Sequence, residues 1–256
     1  MNPRLHDWQG RRVWLVGAST GIGAALARTL ARRGARLAVS ARRSDRLAAL
    51  AIADALILPC DVTESASLAV AWRQLRAAWG DIDLVIYLAG DYQPMDLADF
   101  DLERAEHVVA VNFGGAMKLA AQVAPALKPG SGIAFVASVA GYRGLPRALA
   151  YGPGKAALIH FTECLHLELA PRGIGVWCIN PGFVATRLTA KNDFAMPALL
   201  TPEQAAEEIL DGFRRGAFEI HFPRRFTLLL KLLAHLPYGW SFPLIRRLTG
   251  APHAAR

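Results

Sequence analysis

Short apolar segments alternate along the chain with longer segments whose apolar residues recur every three or four positions. The short segments are rich in Val, Ile and Leu, as doubly buried strands are, and cover residues 12–17, 36–41, 55–60, 84–88, 132–137, 175–180 and 218–222. The longer segments have helical period and cover residues 21–33, 65–79, 102–126, 156–170 and 202–215. Crossovers between parallel strands are right-handed in nearly all proteins. The pattern therefore predicts an α/β fold, a doubly wound parallel sheet of about seven strands with helices on both faces.

Size and composition favour one packed domain. The chain has 256 residues, of which 53% are hydrophobic and 20% charged, a mixture that excludes a disordered or fibrous protein. No apolar run reaches the roughly 18 residues of a membrane-spanning helix. His6, Asp7 and Arg11 stand where a signal peptide would be apolar, so we expect a cytoplasmic protein.

Cysteine usage and charge narrow the range of partners. Cys60, Cys164 and Cys178 are odd in number, widely separated and set in or beside apolar sequence. We therefore predict three reduced, buried thiols and no metal site. The formal net charge of +8 suits nucleic acid, an anionic membrane or a phosphate-bearing cofactor. Because the basic residues occur in short pairs without interleaved aromatic residues, nucleic-acid binding is not expected.

A glycine-rich turn follows the first predicted strand and opens directly into the first predicted helix. It reads Gly17-Ala18-Ser19-Thr20-Gly21-Ile22-Gly23. Glycines let the backbone approach a pyrophosphate, and a helix N-terminus offers that anion unpaired N–H groups and the positive end of a dipole. The turn predicts a site for the phosphates of a dinucleotide, and a glycine-rich turn without a ligand is the alternative.

The end of the second predicted strand bears on which dinucleotide is bound. An NAD-binding protein places an acidic residue there to accept hydrogen bonds from the adenosine ribose, whereas this chain reads Ser40-Ala41-Arg42-Arg43. Guanidinium groups bind phosphate through forked, charge-assisted hydrogen bonds. Arg42, alone or with Arg43, therefore predicts the 2'-phosphate of NADP(H) in preference to NAD(H). A solvated pair at the start of a helix is the alternative.

The order and spacing of further motifs resemble those of the short-chain dehydrogenase/reductase family. Glycines at 17, 21 and 23 match that family's Gly-x-x-x-Gly-x-Gly, and the resemblance extends over about residues 11–222. It implies a single-domain Rossmann fold, a nicotinamide cofactor, and a homodimer or homotetramer. It also implies cofactor contacts from Ser19, Thr20, Ile22, Asp61, Val62, Ala89, Gly90, Pro181, Gly182, Val184 and Thr186.

Two of these positions leave alternatives open. Asp61 is expected to contact the adenine ring, but it would serve equally well as the N-cap of the next helix. After the fourth strand, the family's Asn-Asn-Ala-Gly is replaced by Tyr87-Leu88-Ala89-Gly90. Ala89 and Gly90 keep the close approach to the cofactor, and the change leaves open how this strand end is braced.

The resemblance selects four catalytic residues: Asn112, Ser138, Tyr151 and Lys155. Tyr151 and Lys155 are four positions apart, which is one helical turn, so a cation at Lys155 would favour the phenolate of Tyr151. When a carbonyl is reduced, the Ser138 hydroxyl would stabilise the charge on its oxygen while Tyr151 delivers the proton. The resemblance further implies that Lys155 holds the nicotinamide ribose and that Asn112 holds a water linking Lys155 to solvent.

These residues predict an NADP(H)-dependent oxidoreductase. Hydride would move between the nicotinamide and a carbonyl or secondary alcohol, and the substrate would carry an apolar portion. The alternative is a catalytically silent NADP(H)-binding sensor or interaction protein with the same fold.

Two further segments are assigned only by composition. Residues 187–200 have the composition of a mobile lid, and we expect Tyr92, Tyr142, Phe183 and Phe194 to line the substrate pocket, with plain packing as the alternative. We predict a catalytic domain over residues 1–223 and an apolar, basic-flanked extension over residues 224–256. This extension would cover the pocket, contact another subunit, or lie on the surface of a membrane.

Overall fold

A computed structural model describes residues 2–192, 194 and 196–249 and shows one seven-stranded parallel sheet. The strands lie in the order β3-β2-β1-β4-β5-β6-β7, so the chain reverses direction across the sheet between β1 and β4. Val13 of the central strand pairs with Leu37 on one side and Leu84 on the other. The strands are β1 Arg12–Val16, β2 Arg36–Ser40, β3 Leu56–Ile57, β4 Leu84–Tyr87, β5 Gly132–Val136, β6 Gly175–Pro181 and β7 Glu219–Phe222. The predicted fold class is confirmed.

Helices cover both faces of this sheet. They are α1 Gly21–Arg32, α2 Ser44–Ala48, α3 Ser65–Trp79, α4 Leu102–Val109, α5 Gly115–Val123, α6 Tyr151–Leu169, α7 Pro202–Arg215, α8 Arg224–His235 and α9 Tyr238–Thr249. One apolar core lies between the sheet and α1 with α7, and a second lies between the sheet and α3, α5 and α6. In the second core, the ring of Trp14 stacks on that of Trp72 with 5.9 Å between centroids.

Two helices differ from the sequence prediction in ways that shape the site. The predicted helix over residues 102–126 is divided, because a π-helical turn at Ala110–Gly114 separates α4 from α5. Helix α6 begins at Tyr151, five residues before the predicted start at residue 156. A proline within the first turn is compatible with a helix, since the N–H groups there have no partner inside the helix. Tyr151 and Lys155 consequently share the first turn of α6.

The thiols differ from the prediction at one position. Cys60 and Cys178 are buried as predicted, but Cys164 is exposed. Cys164 lies two residues after the buried Thr162 on α6, and the helical period turns it toward solvent. All three thiols are free.

The C-terminal part forms two helices of its own. Residues 250–256 of the predicted extension lie outside the described residues, as do Asp193 and Ala195 of the predicted lid. Helix α8 buries only Thr227 and Leu233, and α9 buries only Ser241 and Ile245. Within the described ranges, no helix is long and apolar enough to cross a membrane.

Candidate active site

A pocket of about 400 Å³ opens at the carboxyl ends of β1, β4 and β5, where the direction of the sheet reverses. This is the position at which open parallel sheets bind ligands. Every residue predicted to hold the cofactor lines it: Gly17, Ser19, Thr20, Gly21, Ile22, Gly23, Arg42, Arg43, Asp61, Val62, Ala89, Gly90, Tyr151, Lys155, Pro181, Gly182, Val184 and Thr186. Residues far apart in sequence are thus brought together in one cleft.

The glycine-rich turn leaves no room for side chains. Gly17 has φ +104°, and a Cβ added there would lie 2.3 Å from the backbone nitrogen of Ala89. A Cβ at Gly23 would lie 2.2 Å from the carbonyl oxygen of Gly17. Helix α1 starts at Gly21 without an acidic residue in its first turn or a capping hydrogen bond from the Thr20 side chain. The positive end of α1 therefore faces the pocket, which fits a bound phosphate.

Basic side chains line the pocket at the end of β2. Arg42 and Arg43 lie there, and so does Arg46, which the sequence analysis did not select. Arg46 lies on α2, while Arg42 and Arg43 precede the first residue of that helix. No acidic residue occupies the ribose-binding position at the end of β2. This side of the pocket fits an additional phosphate group.

Asp61 forms a turn and does not cap a helix. Its carboxylate accepts hydrogen bonds from the backbone nitrogen and the hydroxyl of Thr63, at 2.9 and 2.7 Å, and α3 has Glu64 as its N-cap. Burial raises the pKa of Asp61, but the two hydrogen bonds from Thr63 and the charges of Arg42 and His107 outweigh it and lower that pKa. The N-cap alternative is therefore wrong, and the contact with adenine stays a prediction.

Three of the four residues selected for catalysis meet at the start of α6. The ring of Tyr151 lies 5.7 Å from Lys155 Nζ, and the Ser138 hydroxyl is close enough to lower the pKa of Tyr151. Lys155 Nζ donates a hydrogen bond to the carbonyl oxygen of Val136 at 2.8 Å. Ser138 Oγ accepts one from the backbone nitrogen of Ala140 at 3.1 Å, which fixes the turn after β5. Hydrogen bonds to the backbone thus hold the side chains of Lys155 and Ser138 in place.

Burial shifts the pKa values of Tyr151 and Lys155 in opposite directions. It raises the pKa of Tyr151 to about 12, against the hydrogen bond from Ser138, which lowers it. It lowers the pKa of Lys155 to about 7, because a buried ammonium loses its hydration. Burial thus favours the neutral form of both side chains, and the expected shift of Tyr151 toward its phenolate is not found.

Asn112 lies in the π-helical turn and is fully buried. Its Nδ2 donates hydrogen bonds to the carbonyl oxygens of Asp91 and Val108, at 2.6 and 2.8 Å. Its Oδ1 has no hydrogen-bond partner among the described residues and faces Gly90, which Lys155 Nζ also approaches. A buried amide oxygen without a partner is costly, and its position fits the coordination of a small polar group beside Lys155.

Tyr87 lies at the end of β4, where Tyr87-Leu88 replaces the two asparagines of the family. Its ring is fully buried between β4 and the π-helical turn, and its hydroxyl donates a hydrogen bond to the Val111 carbonyl oxygen at 2.5 Å. That carbonyl belongs to the residue directly before Asn112. Tyr87 therefore braces the turn that carries Asn112, a role for which the sequence holds no signal. π-Helical turns of this kind are frequent at functional sites.

The four aromatic residues expected around a substrate occupy different places. Tyr92 packs edge-on against Tyr151 with 5.0 Å between ring centroids. The rings of Phe183 and Phe194 pack together with 5.8 Å between centroids, and Phe194 is 47% exposed. The hydroxyl of Tyr142 donates to Glu219 on β7 at 2.5 Å. None of the four lines the pocket described above, so their predicted contact with a substrate stays a prediction.

Asp91 and His107 were not predicted from the sequence, whereas residues 187–189 belong to the predicted lid. These residues line the pocket, and Thr189 Oγ1 accepts a hydrogen bond from the Thr186 backbone nitrogen at 2.9 Å. No motif marks these positions, because they reach the pocket through the path of the loops.

Comparison with known proteins agrees with this geometry. A family profile described as short chain dehydrogenase matches residues 11–196. An uncharacterized oxidoreductase of Myxococcus xanthus is 35% identical over 246 residues, covering 93% of this chain and 97% of that protein. A short chain dehydrogenase from Burkholderia cenocepacia, solved in complex with NADP, superposes with a TM-score of 0.82 at 26% identity, covering 95% of this chain and 99% of that one.

These matches extend well beyond the glycine-rich turn, over nearly the whole length of each protein. The chain belongs to the short-chain dehydrogenase/reductase family. It is therefore an oxidoreductase of a family that binds a nicotinamide cofactor.

Proposed function

We propose that the protein transfers hydride between NADP(H) and a carbonyl or secondary alcohol. The observation that carries this proposal is the convergence of Ser138, Tyr151 and Lys155 at one end of a cleft. The other end of the same cleft carries Arg42 and the glycine-rich turn. A site that served only to sense a nucleotide would not need a proton donor and a hydroxyl in this arrangement.

The chain's own residues supply positioning and proton transfer, while a bound nicotinamide supplies or accepts the hydride. Tyr151 is protonated in the buried site and donates its proton to the developing alkoxide, and the Ser138 hydroxyl stabilises the charge on that oxygen. Lys155 returns a proton to Tyr151, a role for which a pKa of about 7 is well suited. Asn112 Oδ1 faces the same space and would hold the water that links Lys155 to solvent.

Preference for NADP(H) is proposed from the charges at the end of β2. Arg42 and Arg46 line the pocket there, and no carboxylate stands where NAD(H) binders accept the ribose hydroxyls. The Burkholderia cenocepacia neighbour was solved in complex with NADP, which supports the same preference. The substrate's apolar portion would lie beside Tyr92 and the pair Phe183 and Phe194.

The experiment is titration with NADPH and NADH followed by turnover of a panel of carbonyls and secondary alcohols, monitored by nicotinamide absorbance. The proposal expects tighter binding of NADPH and turnover of at least one class of apolar carbonyl. Binding of NADPH without turnover across a broad panel would favour the sensor, the alternative from a different class. Absence of binding of either nucleotide would overturn the proposal.

We also propose a homodimer or homotetramer. Apolar side chains are exposed on α4, on α5 and on the outer face of α6: Leu102, Met117 and Leu167 are 62%, 40% and 73% exposed. Apolar surface of this kind is typical of subunit contacts. Light scattering of the full chain should give a multiple of the 27.7 kDa protomer mass, and Leu167→Asp should lower it.

A further inference from the structure

Helices α8 and α9 both present large apolar side chains to solvent. We call this set the C-terminal face; its members are between 38% and 72% exposed and comprise Leu228, Leu229, Leu232, Tyr238, Trp240, Phe242, Leu244 and Leu248. On α8 they follow helical spacing on the side opposite the buried Thr227 and Leu233. Monomeric proteins rarely leave such a group of apolar side chains without a partner.

The same region is strongly cationic. Residues 220–256 contain no Asp or Glu, and Arg224, Arg225, Arg246 and Arg247 are exposed at the two ends of the helix pair. A second copy packed against this face by two-fold symmetry would bring these cations together without a compensating acid. A surface with fixed negative charge above an apolar interior would complement both the arginines and the apolar side chains of this face.

Aromatic residues occupy the positions expected at such a boundary. Trp240 is 72% exposed and Tyr238 is 64% exposed. The other five tryptophans are buried or half-buried, so Trp240 stands apart from them. Tryptophan and tyrosine concentrate at the level of lipid headgroups, because their rings are apolar and their N–H or O–H groups are polar.

Polar contacts join α8 and α9 to the catalytic part of the protein. Arg143, in the loop between Ser138 and Tyr151, lies 4.1 Å from the Tyr238 ring centroid and donates hydrogen bonds to Leu236 O and Ser241 Oγ at 2.7 and 2.8 Å. On α8, Lys231 forms an ion pair with Glu219 of β7.

The first turn of α8 contacts the wall of the pocket. The ring of Phe226 packs against that of Phe183 with 5.6 Å between centroids, and it is 3.1 Å from where a Cβ on the pocket-lining Gly182 would stand. The face therefore lies beside the catalytic loop on one side and the pocket on the other.

We propose that the C-terminal face binds the surface of an anionic lipid bilayer, with α8 and α9 lying in the plane of the headgroups. Leucine and aromatic side chains enter the acyl boundary, while the four exposed arginines bind lipid phosphates. The proposal concerns attachment alone, so it holds or fails independently of the reaction proposed for the pocket.

The test is co-sedimentation of the full chain with vesicles of phosphatidylcholine containing about 30% phosphatidylglycerol, compared with phosphatidylcholine alone. The expected result is sedimentation with the anionic vesicles that falls as salt is raised. Each basic residue near an anionic surface contributes about fivefold to partitioning, so Arg246→Glu/Arg247→Glu should weaken it about 25-fold or more. Arg28→Glu/Arg73→Glu, which changes the net charge equally at exposed sites on α1 and α3, should weaken it much less.

Apolar insertion is tested by a second matched pair. Leu228→Ser/Leu232→Ser should lose most of the sedimentation, whereas Leu97→Ser/Val70→Ser, at exposed sites away from the face, should keep it. All four leucine and valine side chains are at least 42% exposed, so the variants are expected to fold. Equal losses in the two pairs would contradict the proposal.

Depth of insertion gives an independent readout. Brominated lipids should quench the fluorescence of wild-type protein on anionic vesicles, and Trp240→Phe should bind equally well with most of that quenching gone. No sedimentation with anionic vesicles would overturn the proposal. If wild type does not bind vesicles and light scattering shows fewer protomers for Leu228→Ser/Leu232→Ser than for wild type, the proposal is also overturned. A second copy of the chain would then cover the face.

Discussion

The nucleotide pocket and the C-terminal face are built on opposite principles. In the pocket, single atoms matter, because a Cβ at Gly17 or Gly23 would collide with backbone at less than 2.4 Å. On α9, a Cβ at Gly239 would meet nothing within 4 Å, and only Ser241 and Ile245 are buried. The pocket therefore encodes its ligand through fixed geometry, whereas the face encodes its partner through composition alone.

The largest difference should appear when one methyl group is added to each region. Gly23→Ala should abolish detectable nucleotide binding and lower the free energy of unfolding by about 3 kcal/mol, since the neighbouring carbonyl must move. Gly239→Ala should raise that free energy by up to about 1 kcal/mol, because alanine favours the helix. Urea unfolding and NADPH titration measure both variants. Equal changes in the free energy of unfolding and in NADPH affinity would contradict the contrast between the two regions.

Burial of Lys155 should make stability depend on pH. The pKa of Lys155 is lowered to about 7 in the folded protein from an ordinary value of 10.5, so the unfolded chain binds more protons between these values. Stability should therefore rise with pH from about 7 to 10, by up to about 1.4 kcal/mol per pH unit from this group. Unfolding free energies of wild type minus those of Lys155→Met should rise across this range; a flat difference would mean that folding does not lower the pKa of Lys155.

Removing one hydroxyl from each region gives a smaller contrast. Tyr87→Phe leaves the buried Val111 carbonyl without its hydrogen bond and should cost about 2 kcal/mol of stability, together with some catalytic activity through Asn112. Tyr238→Phe, at a position 64% exposed, should change stability by less than about 0.5 kcal/mol. Chemical denaturation measures both. An unchanged free energy of unfolding in Tyr87→Phe would mean that the Tyr87 hydroxyl does not brace the π-helical turn.

The smallest expected effect distinguishes one arginine from another. Arg42→Ala should weaken NADPH binding about tenfold and leave NADH binding nearly unchanged, because only NADPH carries the 2'-phosphate. Arg246→Ala, on the C-terminal face, removes the same charge and should leave both affinities unchanged. If Arg42→Ala weakened the binding of NADPH and NADH equally, Arg42 would not be the residue that binds the 2'-phosphate.

Local sequence predicted the framework because its signals were local. All seven strands were predicted, and α3 and α7 were predicted to the residue; α7 begins with a capping box between Thr201 and Gln204 and with Pro202 in its first turn. The start of α6 was missed because Gly152, Pro153 and Gly154 favour a loop when neighbouring elements are unknown.

The site was predicted unevenly for the same reason. The pocket residues were predicted because they lie in motifs whose spacing matches that of the family. The π-helical turn, the bracing by Tyr87 and the approach of Arg46 depend on contacts between distant segments, and no local pattern carries them. The exposure of Cys164 likewise depends on which side of α6 faces the sheet.

The proposed hydride transfer depends above all on delivery of the proton by Tyr151. The most direct test measures, for wild type and Tyr151→Phe, both NADPH affinity and the turnover rate on a carbonyl that the wild type reduces. We expect Tyr151→Phe to bind NADPH as tightly as wild type and to turn over about 10²-fold or more slowly. Turnover by Tyr151→Phe at the wild-type rate would contradict it.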